Sequence, residues 1–253
     1  MAALPPLAQY ALRLGDDSLI LGQRLSEWCG HAPALEVDLS LANVALDLIG
    51  QATHFLGVAA EVEAKGRDAD AFAFHRDVLD FTNCLLVEQP NGDFAQTIAR
   101  QFLFSHFQEL QFDALTRSTD PRLAAIAAKA VKEVTYHSRL ASEWVIRLGD
   151  GTDESKARMI AGLEWMWRFV DELFLLDALD AKLAKDGVGV DKAALRGAWD
   201  ARVDAVLAEA TLSRPATPAR AITGGREGRH SEHLGHLLSQ MQFLQRAYPG
   251  ATW

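Results

Sequence analysis

The sequence predicts an all-α protein, a four-helix bundle of ~25-residue helices with additional helices packed against it toward the C-terminus. Three observations predict it. Apolar residues recur at steps of three and four along almost every long segment. No segment alternates as a strand does. The breaks fall at glycine, proline and Asp-Pro, where helices stop and start.

The first helix carries Leu4, Leu7, Ala11, Leu14, Ser18, Leu21, Leu25 and Trp28 on one stripe and stops at Gly30 and Pro33. The second, Asp38 to Lys65, is apolar along Ala42, Ala45, Ile49, Ala52, Leu56 and Ala59, and again along Leu41, Val44, Leu48, Phe55, Val58 and Val62. Apolar residues on two sides make this a central helix, ended by Gly66. Residues 67–92 form a connection with one short helix, Phe72 to Phe81, closed by Pro90-Asn91-Gly92. Asp93 to Gln96 resembles a capping box. It opens a third helix with Phe94, Ile98, Phe102 and Phe112 on one face. Asp120 as N-cap and Pro121 as first helical residue start the fourth, which runs to Leu148 along Leu123, Ala127, Ala130, Val134, His137, Ala141 and Trp144. Further helices are expected over Glu154 to Lys185, Lys192 to Ala210 and Ser231 to Ala247, the last after a Pro/Gly/Arg loop from Arg214 to Arg229. With no repeat or linker, residues 1–253 read as one domain: a core bundle at 4–148 and C-terminal helices at 153–248.

A net charge of −9 and a pI near 5.3 argue against nucleic-acid and anionic-membrane surfaces. The start of the chain lacks a basic region followed by a long apolar run, and no stretch approaches ~18 consecutive apolar residues. Cys29 and Cys84 stand alone, without disulfide or metal-site spacing. The expectation is a cytoplasmic, reduced protein.

The second helix also has a polar stripe, Asn43, Asp47, Gln51 and His54, spread over about 80° and expected to face protein. Glu109 falls on the apolar face of the third helix, and Glu133 neighbours His137 on the fourth. Carboxylates and imidazoles directed into a bundle core are the parts of a di-iron site. Such a site draws a Glu from each of two helices and a Glu-x-x-His pair from each of the other two. That spacing lets both groups reach one metal from adjacent turns. Here Gln51-Ala52-Thr53-His54 has an amide in the carboxylate position, Glu133-Val134-Thr135-Tyr136 a phenol in the imidazole position, and Ser18 stands where a Glu is wanted. Asp47, Gln51, His54, Glu109, Glu133 and His137 therefore read as a buried polar cluster with no catalytic, cofactor or metal role.

Weaker candidates remain. His233 and His236 have ligand-like spacing but no third ligand. Arg214, Arg220, Arg226 and Arg229, with Gly224, Gly225 and Gly228, could bind a phosphate or a coenzyme A tail, but without a strand–loop–helix context a partner-contacting or merely flexible loop is the favoured reading. Trp165, Trp167 and Phe169 read as core or interface.

Several stretches carry a resemblance: Tyr10 to Asp17 (YALRLGDD), Leu25 to Pro33 (LSEWCGHAP), Ala45 to Ala52 (ALDLIGQA), Leu86 to Gly92 (LVEQPNG), Lys129 to His137 (KAVKEVTYH), Gly224 to Gly235 (GGREGRHSEHLG) and Met241 to Gln245 (MQFLQ). In these the sequence resembles the C-subunit family of ring 1,2-phenylacetyl-CoA epoxidases. The resemblance implies a ferritin-like, non-catalytic subunit paired with a homologous catalytic A subunit, which holds the di-iron site and epoxidises the ring of phenylacetyl-CoA with O2. It further implies a small B subunit and a reductase whose flavin and iron–sulfur cluster pass on electrons from NADPH. The iron ligands belong to the A subunit, so none is carried onto this chain. The polar cluster is then at most the vestige of a site in a duplicated ancestor. A self-sufficient di-iron or iron-storage bundle and a plain helical adaptor are the competing readings.

Overall fold

A computed structural model describes residues 4–216 and 221–251. Among these the chain forms twelve α-helices and three short 3₁₀ turns, with no strand. The helices are α1 (Pro6–Ser26), α2 (Leu35–Glu63), α3 (Ala69–Phe74), α4 (Leu85–Glu88), α5 (Phe94–Leu115), α6 (Pro121–Gly149), α7 (Asp153–Trp167), α8 (Val170–Leu173), α9 (Ala178–Lys185), α10 (Arg196–Glu209), α11 (Glu232–Met241) and α12 (Phe243–Ala247). The all-α reading holds, and α1, α2, α5 and α6 are its four long helices.

The chain divides differently from the expected core and appendage. One compact unit comprises Met1–Gln89 together with Gly224–Trp253, the other Pro90–Thr223. The last helices thus belong with the first ones, a pairing that periodicity alone cannot express.

In the first unit α1 and α2 form an antiparallel pair. Leu14, Leu21 and Leu25 of α1 are buried, as are Leu41, Val44, Leu48, Phe55 and Leu56 of α2. The end of α2 is set by Ala64, a left-handed cap at φ 56°, rather than by Gly66. The expected helix at Phe72 to Phe81 is two pieces. Asp68 caps α3 by accepting from the Ala71 amide at 2.8 Å, and a separate 3₁₀ turn covers Val78–Asp80. The last expected helix is also divided, at Gln242, whose side-chain amide donates to the carbonyls of Ala73 and Arg76.

In the second unit α5 is buried all round from Thr97 to Gln108, so the central helix here is not the one-faced aromatic helix expected. Asp93 caps it through the Gln96 amide at 2.9 Å. The Gln96 side chain turns instead to the Pro90 carbonyl, which leaves the capping box half made. Asp120 caps α6 as expected, accepting from the Arg122 and Leu123 amides. The single helix expected over 154–185 is three. Trp167, Phe169, Val170, Leu173 and Phe174 are all buried across these breaks. The chain bends at each break, and Asp177 recaps α9 through the Asp180 amide.

Candidate functional site

The polar stripe of α2 is partly an inward-facing one. Taking Asn43 as zero, His54, Asp47 and Gln51 lie at about 20°, 40° and 80° around the helix. Exposure falls in that order: Asn43 and His54 are exposed, Asp47 is half-buried and Gln51 is buried. His54 is therefore not part of a buried cluster, because the stripe drifts off the apolar face.

In the second unit, Glu109 accepts from Ser138 Oγ at 2.6 Å and pairs with Arg202 at 3.3 Å. His137 on α6 is fully buried, Glu133 lies 3.9 Å from Lys129, and Tyr136 is exposed. Beside Glu109, the His106 Nε2 stands 2.9 Å from Ser142 Oγ, whose own proton goes to the Ser138 carbonyl. That requires His106 to donate from Nε2. Burial holds its pKa down to about 4, opposed by Glu109 and reinforced by Arg202. Among the described residues no three His, Cys, Asp or Glu side chains are grouped as a metal ion would require.

The densest constellation of ionisable groups lies elsewhere, in the first unit, among residues that periodicity did not single out. Asp16 and Asp17 on α1 and Glu88 on α4 are at most 2% exposed. Asp16 takes a two-pronged ion pair from Arg76, and the Thr82 amide and hydroxyl donate to it at 2.8 and 2.9 Å. The Arg76 guanidinium lies 4.1 Å from the centre of the Phe81 ring. Asp17 accepts from the Cys84 amide at 2.7 Å and from both terminal nitrogens of Arg226 at 3.0 and 2.6 Å. Glu88 accepts from the Ser231 amide and hydroxyl, from Asn83 Nδ2 and from His230 Nδ1 at 2.7 Å. His230 Nε2 is 2.9 Å from the Phe81 carbonyl, which can only accept. Both ring nitrogens thus face acceptors and the imidazolium is the fitting form. Burial by itself would lower the His230 pKa, but the hydrogen bond and charge of Glu88 raise it above the ordinary value.

All six carboxylate oxygens of this triad are engaged, as buried anions require. The arrangement leaves no acid or base poised for a substrate. What it does is fasten residues 224–231 to α1 and α4. Gly225 belongs to the same fastening, since a Cβ there would lie 2.1 Å from the Asn83 carbonyl oxygen. The Arg/Gly loop therefore divides by residue. Arg226 is inside the lock. Arg214 pairs with Asp200 and Asp204, and Arg229 with Glu227. Arg220 lies outside the described residues. His236 is exposed and His233 half-buried on α11. Trp165 is 39% exposed with Arg168 stacked on it, whereas Trp167 and Phe169 are buried.

The lock joins three of the stretches on which the sequence resemblance rests: Asp16 and Asp17 in the first, Glu88 in the fourth, Arg226, His230 and Ser231 in the sixth. A family model described as phenylacetic acid catabolic protein matches residues 2–253. The chain belongs to the phenylacetic acid catabolic protein family. It is 53% identical over 247 residues to the C subunit of the 1,2-phenylacetyl-CoA epoxidase of Escherichia coli (strain K12), with 98% of this chain and 99% of that protein covered. For this member of the phenylacetic acid catabolic protein family, the likeness spans both compact units. It includes the C-terminal segment that the lock holds in place.

Proposed function

We propose that this chain is the structural, non-catalytic subunit of a 1,2-phenylacetyl-CoA epoxidase in aerobic phenylacetate degradation. The observation that carries the proposal is the 53% identity, along essentially the whole of both chains, to a protein named as the C subunit of that enzyme. In this reading the chain supports a homologous catalytic A subunit, whose di-iron site epoxidises the aromatic ring of phenylacetyl-CoA using O2. The assembly also includes a small B subunit, and a reductase with flavin and an iron–sulfur cluster supplies electrons from NADPH. The setting is the cytoplasm; among the described residues no helix is long and apolar enough to cross a membrane.

The chemistry of the donor set supports a non-catalytic role. A di-iron site in a helical bundle needs roughly four carboxylates and two histidines. Ser18 and Gln51 are buried where carboxylates would be wanted, and Tyr136 is exposed where an imidazole would be wanted. Glu109 is already bound by a hydroxyl and a guanidinium. Asp47, Gln51, Glu109, Glu133 and His137 then act as packing and hydrogen-bonding groups, with His54 outside that set.

Elemental analysis of the chain, purified after expression in iron-supplemented medium, tests this reading. The expected result is far below one iron per chain, with no change in melting temperature on chelation. One or more irons per chain, lost on chelation together with stability, would overturn it.

A further inference from the structure

On α2 the residues that face outward form a second seam. Leu39 is 56% and Leu46 66% exposed, although α1 packs against the opposite face of the helix. The line continues through Asn43, Gly50, Thr53 and Gly57, all exposed or half-buried. The steps alternate four, three, four, three and four residues, the 3.5-residue period of a helix that lies along another helix. From Leu39 to Gly57 the helix carries one formal charge, Asp47. A solvated face of a protein that is 23% charged would carry more.

The two glycines need a reason. Glycine is the least favourable residue after proline inside a helix, and a Cβ at Gly50 or Gly57 would meet nothing within 4 Å. Among the described residues, then, no close approach requires them. The inner side of the same helix shows what such a pair does. There α1 runs antiparallel and presents Gly15 and Gly22, seven residues apart. A Cβ on Gly15 would fall 2.8 Å from Leu56, and one on Gly22 3.2 Å from Ile49, again seven apart. Aliphatic side chains seat in glycine notches and the helices close up. The outer seam offers the same parts with no described helix in them: knobs at Leu39 and Leu46, then notches at Gly50 and Gly57.

We propose that this seam is the docking site for a helix of the catalytic partner subunit, running antiparallel to α2. That helix would place aliphatic residues seven apart over Gly50 and Gly57, and small residues under Leu39 and Leu46. The inference rests on the subunit reading above and names the surface that serves it. A second copy of this chain fits less well. The register that seats Leu39 on Gly57 and Leu46 on Gly50 puts the two-fold axis at residue 48, which brings two Asp47 carboxylates face to face, a like-charge juxtaposition. A partner with a neutral or basic residue there avoids it. The area also points to a folded partner rather than a lone helix. The seam is about 30 Å long and about 10 Å wide, roughly 300 Å². Stable interfaces bury about 800 Å² per partner, so flanking elements must join the contact.

The test uses size-exclusion chromatography with light scattering on the chain co-expressed with the catalytic subunit. Variants are L46E, which charges a knob, and G50L, which fills a notch; both positions open to solvent, and melting temperature checks that each variant folds. I160E, at an exposed apolar position on α7, is the control. Wild type and I160E should co-elute with the partner, while L46E and G50L should bind at least 100-fold more weakly with the fold intact. Co-elution of all four would overturn the seam and leave the subunit reading standing. Failure of the wild type to co-elute would sink both. Self-association lost in L46E, with the mixed complex unaffected, would assign the seam to a second copy and also overturn the proposal.

Discussion

Asp17 and Arg226 meet across 209 residues of sequence, and neither looks exceptional in its own neighbourhood. Asp17 is 2% exposed, so removing it takes the counter-ion from the Arg226 guanidinium, whose side chain is 11% exposed. Asp17→Ala should destabilise the protein by about 3–5 kcal/mol, read as a lowered urea midpoint at unchanged slope. Replacing both partners by apolar residues should recover much of that loss, since no charge is then left buried alone. Two histidines set opposite pH limbs. His230 has a raised pKa, so its contribution is full below about 6.5 and is lost as pH rises through its folded value. His106 is held down to about 4, so its contribution is full above about 6.5 and is lost as pH falls toward 4, on the order of 3 kcal/mol. Thermal melts from pH 4 to 9 should therefore show His230→Gln flattening the alkaline side and His106→Gln the acid side. A variant profile that parallels wild type throughout would contradict the assignment for that histidine. At this scale the sequence was informative about His137, which is buried on α6, and less so about Glu109, which is half-buried. It was silent about the lock, because each of its pairs joins segments far apart in the chain. It misled at His54, where a drift of only tens of degrees around the helix separates a buried polar group from a solvated one.

Helices were the most legible elements, since a 3.6-residue period is written locally; α1, α2, α5 and α6 fall within a few residues of where the apolar stripes place them. The breaks within 154–185 and at Gln242 were not legible. At Gln242 the side chain is claimed by the distant carbonyls of Ala73 and Arg76, and within 154–185 Asp177 starts a new helix by capping the Asp180 amide. The segment after residue 223 is held by the lock and by the close approach of Gly225 to the Asn83 carbonyl. Gly225→Ala should cost about 1–3 kcal/mol through overpacking. The loosening should be concentrated in residues 224–251, seen as faster amide exchange there with α5 and α6 unchanged. Uniform protection in the variant would mean that the segment is held without that approach.

For the whole molecule, one domain with appended C-terminal helices was the reading that periodicity allows, whereas contacts divide the chain into two units, one of them discontinuous. Which segments pack together is decided by side chains such as Asp17 and Arg226, not by any local pattern, and so the return of the C-terminal segment was beyond reach. The family was legible for a different reason. The motifs that carry the resemblance include the residues of the lock, so similarity records an arrangement that the spacing of residues does not reveal. In the proposed function the chain is a scaffold whose partner does the chemistry. Epoxide formed from phenylacetyl-CoA per assembled complex tests this role, comparing the co-expressed assembly without this chain, with the wild-type chain and with Glu109→Gln. The predicted result is turnover that depends on the chain yet stays within about twofold of wild type for Glu109→Gln once assembly is matched, a difference of less than about 0.5 kcal/mol. Full turnover without the chain, or abolished turnover by a Glu109→Gln chain that folds and assembles normally, would contradict it.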